Sequence, residues 1–239
     1  MTYVEGFVTA VPTQNRDRYV AHAREAAALV KEFGAARFVE TWGDDVPRGT
    51  VNDLWSAVQA KDGETVLFSW FEYPDKAARD AANAQMMADP RMEAMGADMP
   101  FDGSRMIYAG FDVINEAGPG GDFGYLDGVV VPAATDAKAA YLAFSRSSAE
   151  AFVEHGATRV VDAWGDDVPD GKVTDYKRAT HLKEGESVAF GWIEWPSKAV
   201  RDAAWEKLMA DDRLAGSPDE RGMDGKRMMF GGFTPLLLL

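Results

Sequence analysis

Cysteine is absent from the 239-residue chain, which removes disulfides, thiolate metal ligands and cysteine nucleophiles together. That suits a reducing compartment. Histidine is scarce. His22, His155 and His181 are the only three, and none has a partner at metal-ligand spacing, so neither a zinc nor a haem centre is expected. Positive charge is short as well: 25 Lys and Arg stand against 39 Asp and Glu, a net charge of −14, and no Lys/Arg run occurs. Such a surface repels a phosphate backbone, which argues against nucleic acid or an anionic membrane as a general partner. Long apolar runs are missing. The terminal Leu236–Leu239 run is far too short to cross a bilayer, and Met1-Thr2-Tyr3-Val4-Glu5 lacks the basic region and apolar core of a secretory signal. A cytoplasmic protein is expected. There is no Gly-rich phosphate loop, no serine-nucleophile elbow and no kinase-type motif, so NAD, ATP and covalent hydrolysis are poor candidates. The expectation is no cofactor and no metal.

What is present is a repeat. Shifting the chain by 122 residues aligns Tyr3–Phe111 with Tyr125–Phe233 without a gap, and about 47 of the 109 paired positions are identical. Trp42-Gly43-Asp44-Asp45-Val46-Pro47 returns as Trp164-Gly165-Asp166-Asp167-Val168-Pro169. Phe68, Trp70, Glu72 and Pro74 return as Phe190, Trp192, Glu194 and Pro196. The domains expected are residues 1–114 and 125–239, with Gly118-Pro119-Gly120-Gly121 marking the linker Asn115–Gly124.

Each copy reads as strand 3–11, helix 16–33 with Gly34 as its C-cap, strand 36–42 and a loop Gly43–Gly49. Residues 53–60 and 65–73 follow as the arms of a hairpin turning at Asp62-Gly63. Then come helix 75–88 capped by Asp75 (Ser197 in the second copy), a break at Asp89-Pro90, and a last strand 105–113. This is an α+β chain of two tandem ferredoxin-like βαββαβ repeats. Both helices of a repeat cover one sheet face. The other face, carrying Phe68 and Trp70, would be bare and aggregation-prone, so the two repeats are expected to pack sheet to sheet as an intramolecular barrel. Because the pair is already covalent, a monomer is expected.

Several motifs together resemble a known family. They are Gly-Asp-Asp-Val-Pro after the second strand, Phe68-Ser69-Trp70, Met87-Ala88-Asp89-Pro90-Arg91, and Met99-Pro100-Phe101-Asp102-Gly103 running on to Arg105-Met106-Ile107-Tyr108. The sequence is similar there to the YbaA-like family of small bacterial proteins, a domain of unknown function in the dimeric α/β-barrel superfamily. The resemblance implies the ferredoxin-like fold and the paired barrel, and no reaction. The second copy departs from the pattern at Gly191 for Ser69, Trp195 for Tyr73, and Arg221-Gly222-Met223 for Met99-Pro100-Phe101. A site built from those positions exists in one half only.

Acids inside apolar strands are the first candidates for chemistry, because a buried carboxylate is costly unless solvated, paired or coordinating. Glu5, Glu40 and Glu72 have the counterparts Asp127, Asp162 and Glu194. Alternation places Glu40 beside Phe38 and Trp42, and Glu72 beside Phe68 and Trp70. Such a face would give a cavity aromatic walls and acidic handles, with Glu40, Glu72, Asp162 and Glu194 as proton acceptors or donors. The plainer reading is that these acids pair with Arg37, Arg105 or Lys61. Trp42, Trp70, Trp164 and Trp192 are either core residues or the walls of a pocket for a flat ligand. Asp44-Asp45 and Asp166-Asp167 are either turn residues capping local amides or a pair with a ligand-gating or metal role. Arg105 and Arg227, which follow Asp-Gly turns, are salt-bridge partners or anchors for a ligand carboxylate. His181 stands where the first copy has Gln59, in a stretch that reads as a solvated hairpin or as a mark of one specialised half. Two functions fit: a small-molecule-binding barrel acting as a cofactor-free oxygenase or isomerase on a small hydrophobic compound, or a non-catalytic binding or stress-related protein with a packed interior.

Overall fold

A computed structural model describes residues 2–239. The first repeat runs β1 (Tyr3–Pro12), α1 (Arg16–Glu32), β2 (Arg37–Asp45), α2 (Leu54–Ala57), β3 (Glu64–Tyr73), α3 (Lys76–Ala88), α4 (Pro90–Ala97) and β4 (Ile107–Ala117). The second runs β5 (Tyr125–Ala134), α5 (Lys138–Glu154), β6 (Arg159–Asp167), α6 (Tyr176–Ala179), β7 (Glu186–Trp195), α7 (Lys198–Leu208), α8 (Pro218–Arg221) and β8 (Met229–Leu238). Among the described residues no helix is long and apolar enough to cross a membrane.

The strands form one closed barrel in the order β1-β3-β2-β8-β5-β7-β6-β4. Each repeat contributes a four-stranded antiparallel sheet, and two inter-repeat pairings, β2 with β8 and β4 with β6, join the sheets edge to edge. Closure leaves no unpaired edge for a foreign strand to add to. It also lengthens the strands beyond what the sequence alone suggests. Gly43–Asp45, expected in a loop, belong to β2 because Gly43 pairs with Phe233 and Asp45 with Gly232. Asn115–Ala117, expected in the linker, belong to β4 because they pair with Asp162, Val161 and Val160. The connector is therefore Gly118–Gly124, and its Phe123 is buried against Trp70 at the barrel end.

Residues 53–60 are not a strand. Asp53 caps α2 by accepting from the Ser56 amide at 2.6 Å, and the Ser56 hydroxyl accepts in turn from the Asp53 amide at 3.0 Å. That reciprocal box nucleates a helical turn. The turn drops Leu54, Ala57 and Val58 into the central core, and Asp175 does the same for α6 with Tyr176 and Ala179. These two short helices close one end of the barrel.

Alternation sends Val66, Phe68 and Trp70 inward with Phe190 and Trp192 of the second repeat. Phe68 and Phe190 stack at 4.4 Å between ring centres, Trp70 meets Trp192 at 4.3 Å, and Phe111 meets Phe190 at 5.0 Å. The inner chamber expected between the sheets is thus filled with aromatic rings. Gly6 and Gly128 lie directly under this stack: a β-carbon on either would stand 2.8 Å from the ring of Phe190 or Phe68. Gly6→Ala and Gly128→Ala should each destabilise the chain by about 1–3 kcal/mol through overpacking. Thermal unfolding should show the midpoint lowered by several degrees, and an unchanged midpoint in both variants would contradict this packing.

Candidate functional site

The strand acids divide by barrel face. Glu72 and Glu194 point inward, at the end opposite α2 and α6, and each accepts from the indole of its own strand: Trp70 Nε1 to Glu72 at 2.9 Å, Trp192 Nε1 to Glu194 at 3.0 Å. Each also takes an arginine from the other repeat. Arg159 donates to Glu72 through both terminal nitrogens at 2.7 and 2.9 Å, and Arg37 donates to Glu194 at 2.8 and 3.1 Å. The four groups form a crossed clamp between the halves, and the bidentate geometry supplies direction as well as charge. Burial pushes the Glu72 carboxyl up, but the hydrogen bonds and charge of Arg159 outweigh it and hold Glu72 below the usual range. Arg37 also lies over the rings of Trp70 and Phe123, and Arg159 over Trp192.

Glu40 and Asp162 face the other way, toward the helices. Glu40 accepts from Tyr19 Oη at 2.6 Å and from the Ser69 hydroxyl. Burial pushes it up to about 7, partly offset by those two bonds. Asp162 accepts from Tyr141 Oη at 2.9 Å and from Ser145 Oγ at 2.6 Å, and burial raises it too. Asp127, on the same outer face, accepts from the indoles of Trp195 and Trp205 at 3.0 and 2.9 Å and from Arg201. Trp42 and Trp164 also lie on this face, under Arg16 and Lys138 respectively, and so do not share a site with Trp70 and Trp192.

The Asp-Asp pairs do not cap local amides. They tie the repeats together. Asp44 accepts from Tyr125 Oη at 2.9 Å and Asp45 pairs with Arg201 at 3.2 Å, while Asp166 accepts from Tyr3 Oη at 3.0 Å and Asp167 from Arg79 at 2.8 Å. Arg105 and Arg227 sit in single 3₁₀ turns before β4 and β8, not within those strands. Arg105 binds Glu64, Asp102 and the Gln59 carbonyl; Arg227 binds Glu186, Asp224 and the His181 carbonyl. Gln59 and His181 both have positive φ, 47° and 51°. His181 therefore ends α6 as Gln59 ends α2, and the exchange leaves the backbone role unchanged. Among the described residues no three His, Asp or Glu side chains converge as a metal site would require.

A cavity opens on the outer face of the second repeat. About 730 Å³ in volume, it separates the sheet from α5 and α7, with Val129, Val160, Ile193, Phe144, Phe152 and Trp205 among its walls and Asp162 in its lining. Its origin is visible by comparing the copies. In the first repeat the same surface carries Phe7, Phe38 and Phe71, with Phe7 to Phe71 at 4.7 Å and Phe38 stacked on Phe71 at 4.6 Å. The second repeat has Val129, Val160 and Ile193 at those positions. Gly191, in place of Ser69, removes more: a β-carbon there would stand 2.9 Å from Asp162 Oδ1. The cover is dismantled as well. Helix α4 packs on α1 in the first repeat. Its second-repeat counterpart carries Gly216 and Pro218 where α4 has Ala94 and Gly96, and only the 3₁₀ turn Asp212–Leu214 and the single turn α8 remain.

Residues 2–103 and 124–225 each match the family described as "Protein of unknown function (DUF1428)". The chain belongs to this family. It is 58% identical over 114 residues to "Uncharacterized protein YbaA" of Escherichia coli (strain K12), a match covering 48% of this chain and 97% of that protein. A protein of Fusobacterium nucleatum named "Putative monooxygenase" shares the fold at a TM-score of 0.60 and 10% identity, over 99% of this chain and 93% of that one. A second so named, from Lactobacillus acidophilus, gives 0.57 and 10%, over 99% and 95%. An "anthrone oxidase-like protein" gives 0.54 and 10%, over 100% and 92%. At such identity these likenesses speak for the fold alone.

Two outcomes test the electrostatics. Arg159→Met leaves Glu72 buried without its bidentate partner and should cost about 3–5 kcal/mol in denaturant unfolding, while Glu72→Met/Arg159→Met, which keeps the Arg37–Glu194 pair, should recover most of that loss. Equal losses in the single and double variants would rule out the clamp. Glu40 titrates near 4.5 in the unfolded chain and about 7 when folded. Its contribution is fully present below about 4.5 and is lost as pH rises through 7, up to about 3 kcal/mol. Glu40→Gln should therefore narrow the stability gap between pH 5 and pH 7.5, read from urea midpoints; a gap unchanged from wild type contradicts the shift.

Proposed function

We propose that the protein binds a small, largely apolar molecule in the outer cavity of the second repeat, with Asp162 as the polar group at its wall. The cavity carries this reading. It is of a size suited to a small organic ligand and mostly apolar in its lining, and it exists because three phenylalanines of one copy are aliphatic in the other. A mostly apolar cleft of that size left to water forgoes the burial of its walls, so an occupant is the economical explanation for its retention.

The same placement supports proton transfer as the chemistry, if the bound molecule is turned over. Of the four strand acids considered as proton carriers, Glu72 and Glu194 are locked by arginines and Glu40 is buried beneath Tyr19. Asp162 alone among the four lines the cavity, and burial raises its affinity for a proton, the direction that suits a general acid or base. A cofactor-free isomerase-type reaction is consistent with that group. The alternative, a binding protein without turnover, draws support from the filled barrel interior and uses the same cavity.

Restoring the first copy's side chains provides the test. Val129→Phe/Ile193→Phe should fill the cavity with groups that the equivalent surface already accommodates. Binding of an environment-sensitive apolar dye such as anilinonaphthalene sulfonate should fall at least tenfold, with the unfolding midpoint held or raised. Dye binding unchanged in the filled variant would refute the site.

A further inference from the structure

The hydrogen-bonding at the polar wall restricts what the cavity accepts, an inference that rests on the binding role just proposed. Ser145 Oγ accepts from Asn115 Nδ2 at 3.0 Å, so its own proton is directed to Asp162 Oδ2. Tyr141 spends its proton on Asp162 Oδ1. Asp162 as a carboxylate has only lone pairs, and after these two bonds each oxygen still has capacity to accept another. What this wall offers an occupant is therefore acceptors. Gly191 presents no side chain of its own against Oδ1, where a β-carbon would stand 2.9 Å away. Asn115 belongs to β4, so the first repeat reaches into the second repeat's site to set this polarity. Around Glu40 the corresponding positions are Ala23 for Ser145 and Leu237 of β8 for Asn115, and Glu40 is buried.

We infer that the ligand is a largely apolar molecule carrying a hydroxyl or N–H donor, which it gives to Asp162. A ligand without a donor would cover the remaining lone pairs with hydrocarbon and leave a buried acceptor unmatched, which costs more than a lost contact. Of the other polar groups of the lining, Asp127 is engaged by two indoles and Arg201, and Ser148 by the Ser145 carbonyl at 3.1 Å, while Arg221 Nε is buried without a partner and could take an acceptor of the same ligand.

Isothermal titration calorimetry with two probes of nearly equal shape, 2-naphthol and 2-methoxynaphthalene, tests this on the full chain. Wild type should bind the naphthol about tenfold or more tightly over the ether, as expected for a donor to a charged acceptor. Asp162→Asn, which turns one acceptor oxygen into a donor amide, should bring the two within about threefold. Equal binding of both probes to wild type, abolished for both by Val129→Phe/Ile193→Phe, overturns the donor requirement while the cavity stands. Binding of neither probe, or binding untouched by the filling variant, overturns the cavity reading and this inference with it. The wild-type probe comparison stands whether or not Asp162→Asn folds.

Discussion

Two strand pairings, β2 with β8 and β4 with β6, carry the architecture. They are the points at which one repeat hydrogen-bonds to the other, and each runs through residues that would be loop or linker in an isolated copy. Once they form, the inner faces of two sheets enclose one aromatic core and the tilt between sheets is set. The charges then fall into place around the seam. Arg37 reaches Glu194, Arg159 reaches Glu72, and the Gly-Asp-Asp corners reach tyrosine and arginine of the opposite half. A chain with a net charge of −14 thus concentrates much of its limited stock of arginine where the repeats meet.

A barrel wall has two sides, and here they have separate duties. The inner side is apolar apart from its ends, which are stoppered by α2 and α6 at one mouth and by the crossed arginines with Phe123 at the other. Its conservation of volume between copies is close: Phe68 mirrors Phe190, Trp70 mirrors Trp192, Gly6 mirrors Gly128. The outer side is where the copies part. Loss of Phe7, Phe38 and Phe71 and of an intact α4 turns a covered surface into a hollow while the inward Phe68, Trp70 and Gly6 keep identical counterparts. Packing that must satisfy both halves at once resists change, whereas packing against a single repeat's own helices does not.

The repeat, its register and the βαββαβ order were legible in the sequence, because hydrophobic alternation and identical motifs survive in both copies. The boundaries were less so. Gly43–Asp45 carry turn chemistry in their own right, and only pairing with a strand almost 190 positions away, Phe233, overrides it. Asp53-Leu54-Trp55-Ser56 contains a helix-capping signature that an apolar stretch obscures. Pairing Glu72 with Arg37 is close at hand in the sequence, but its stronger partner, Arg159, lies in the other repeat, where no local pattern points. The division of acids between inner and outer faces depends on β2 and β3 starting in opposite phase, which alternation within one strand does not reveal. The cavity itself left a readable trace in the exchange of three phenylalanines for Val129, Val160 and Ile193. It becomes visible only when the copies are compared face by face instead of motif by motif.

The seven residues Gly118–Gly124 have an outcome larger than their size. Two separate chains of half this length, paired about a true dyad, would be obliged to carry every substitution twice, so that hollowing one flank would hollow the other. Joined into one polypeptide, the halves are released from that symmetry. One flank is free to stay solid while its twin opens into a cavity, giving a molecule with a defined front and back.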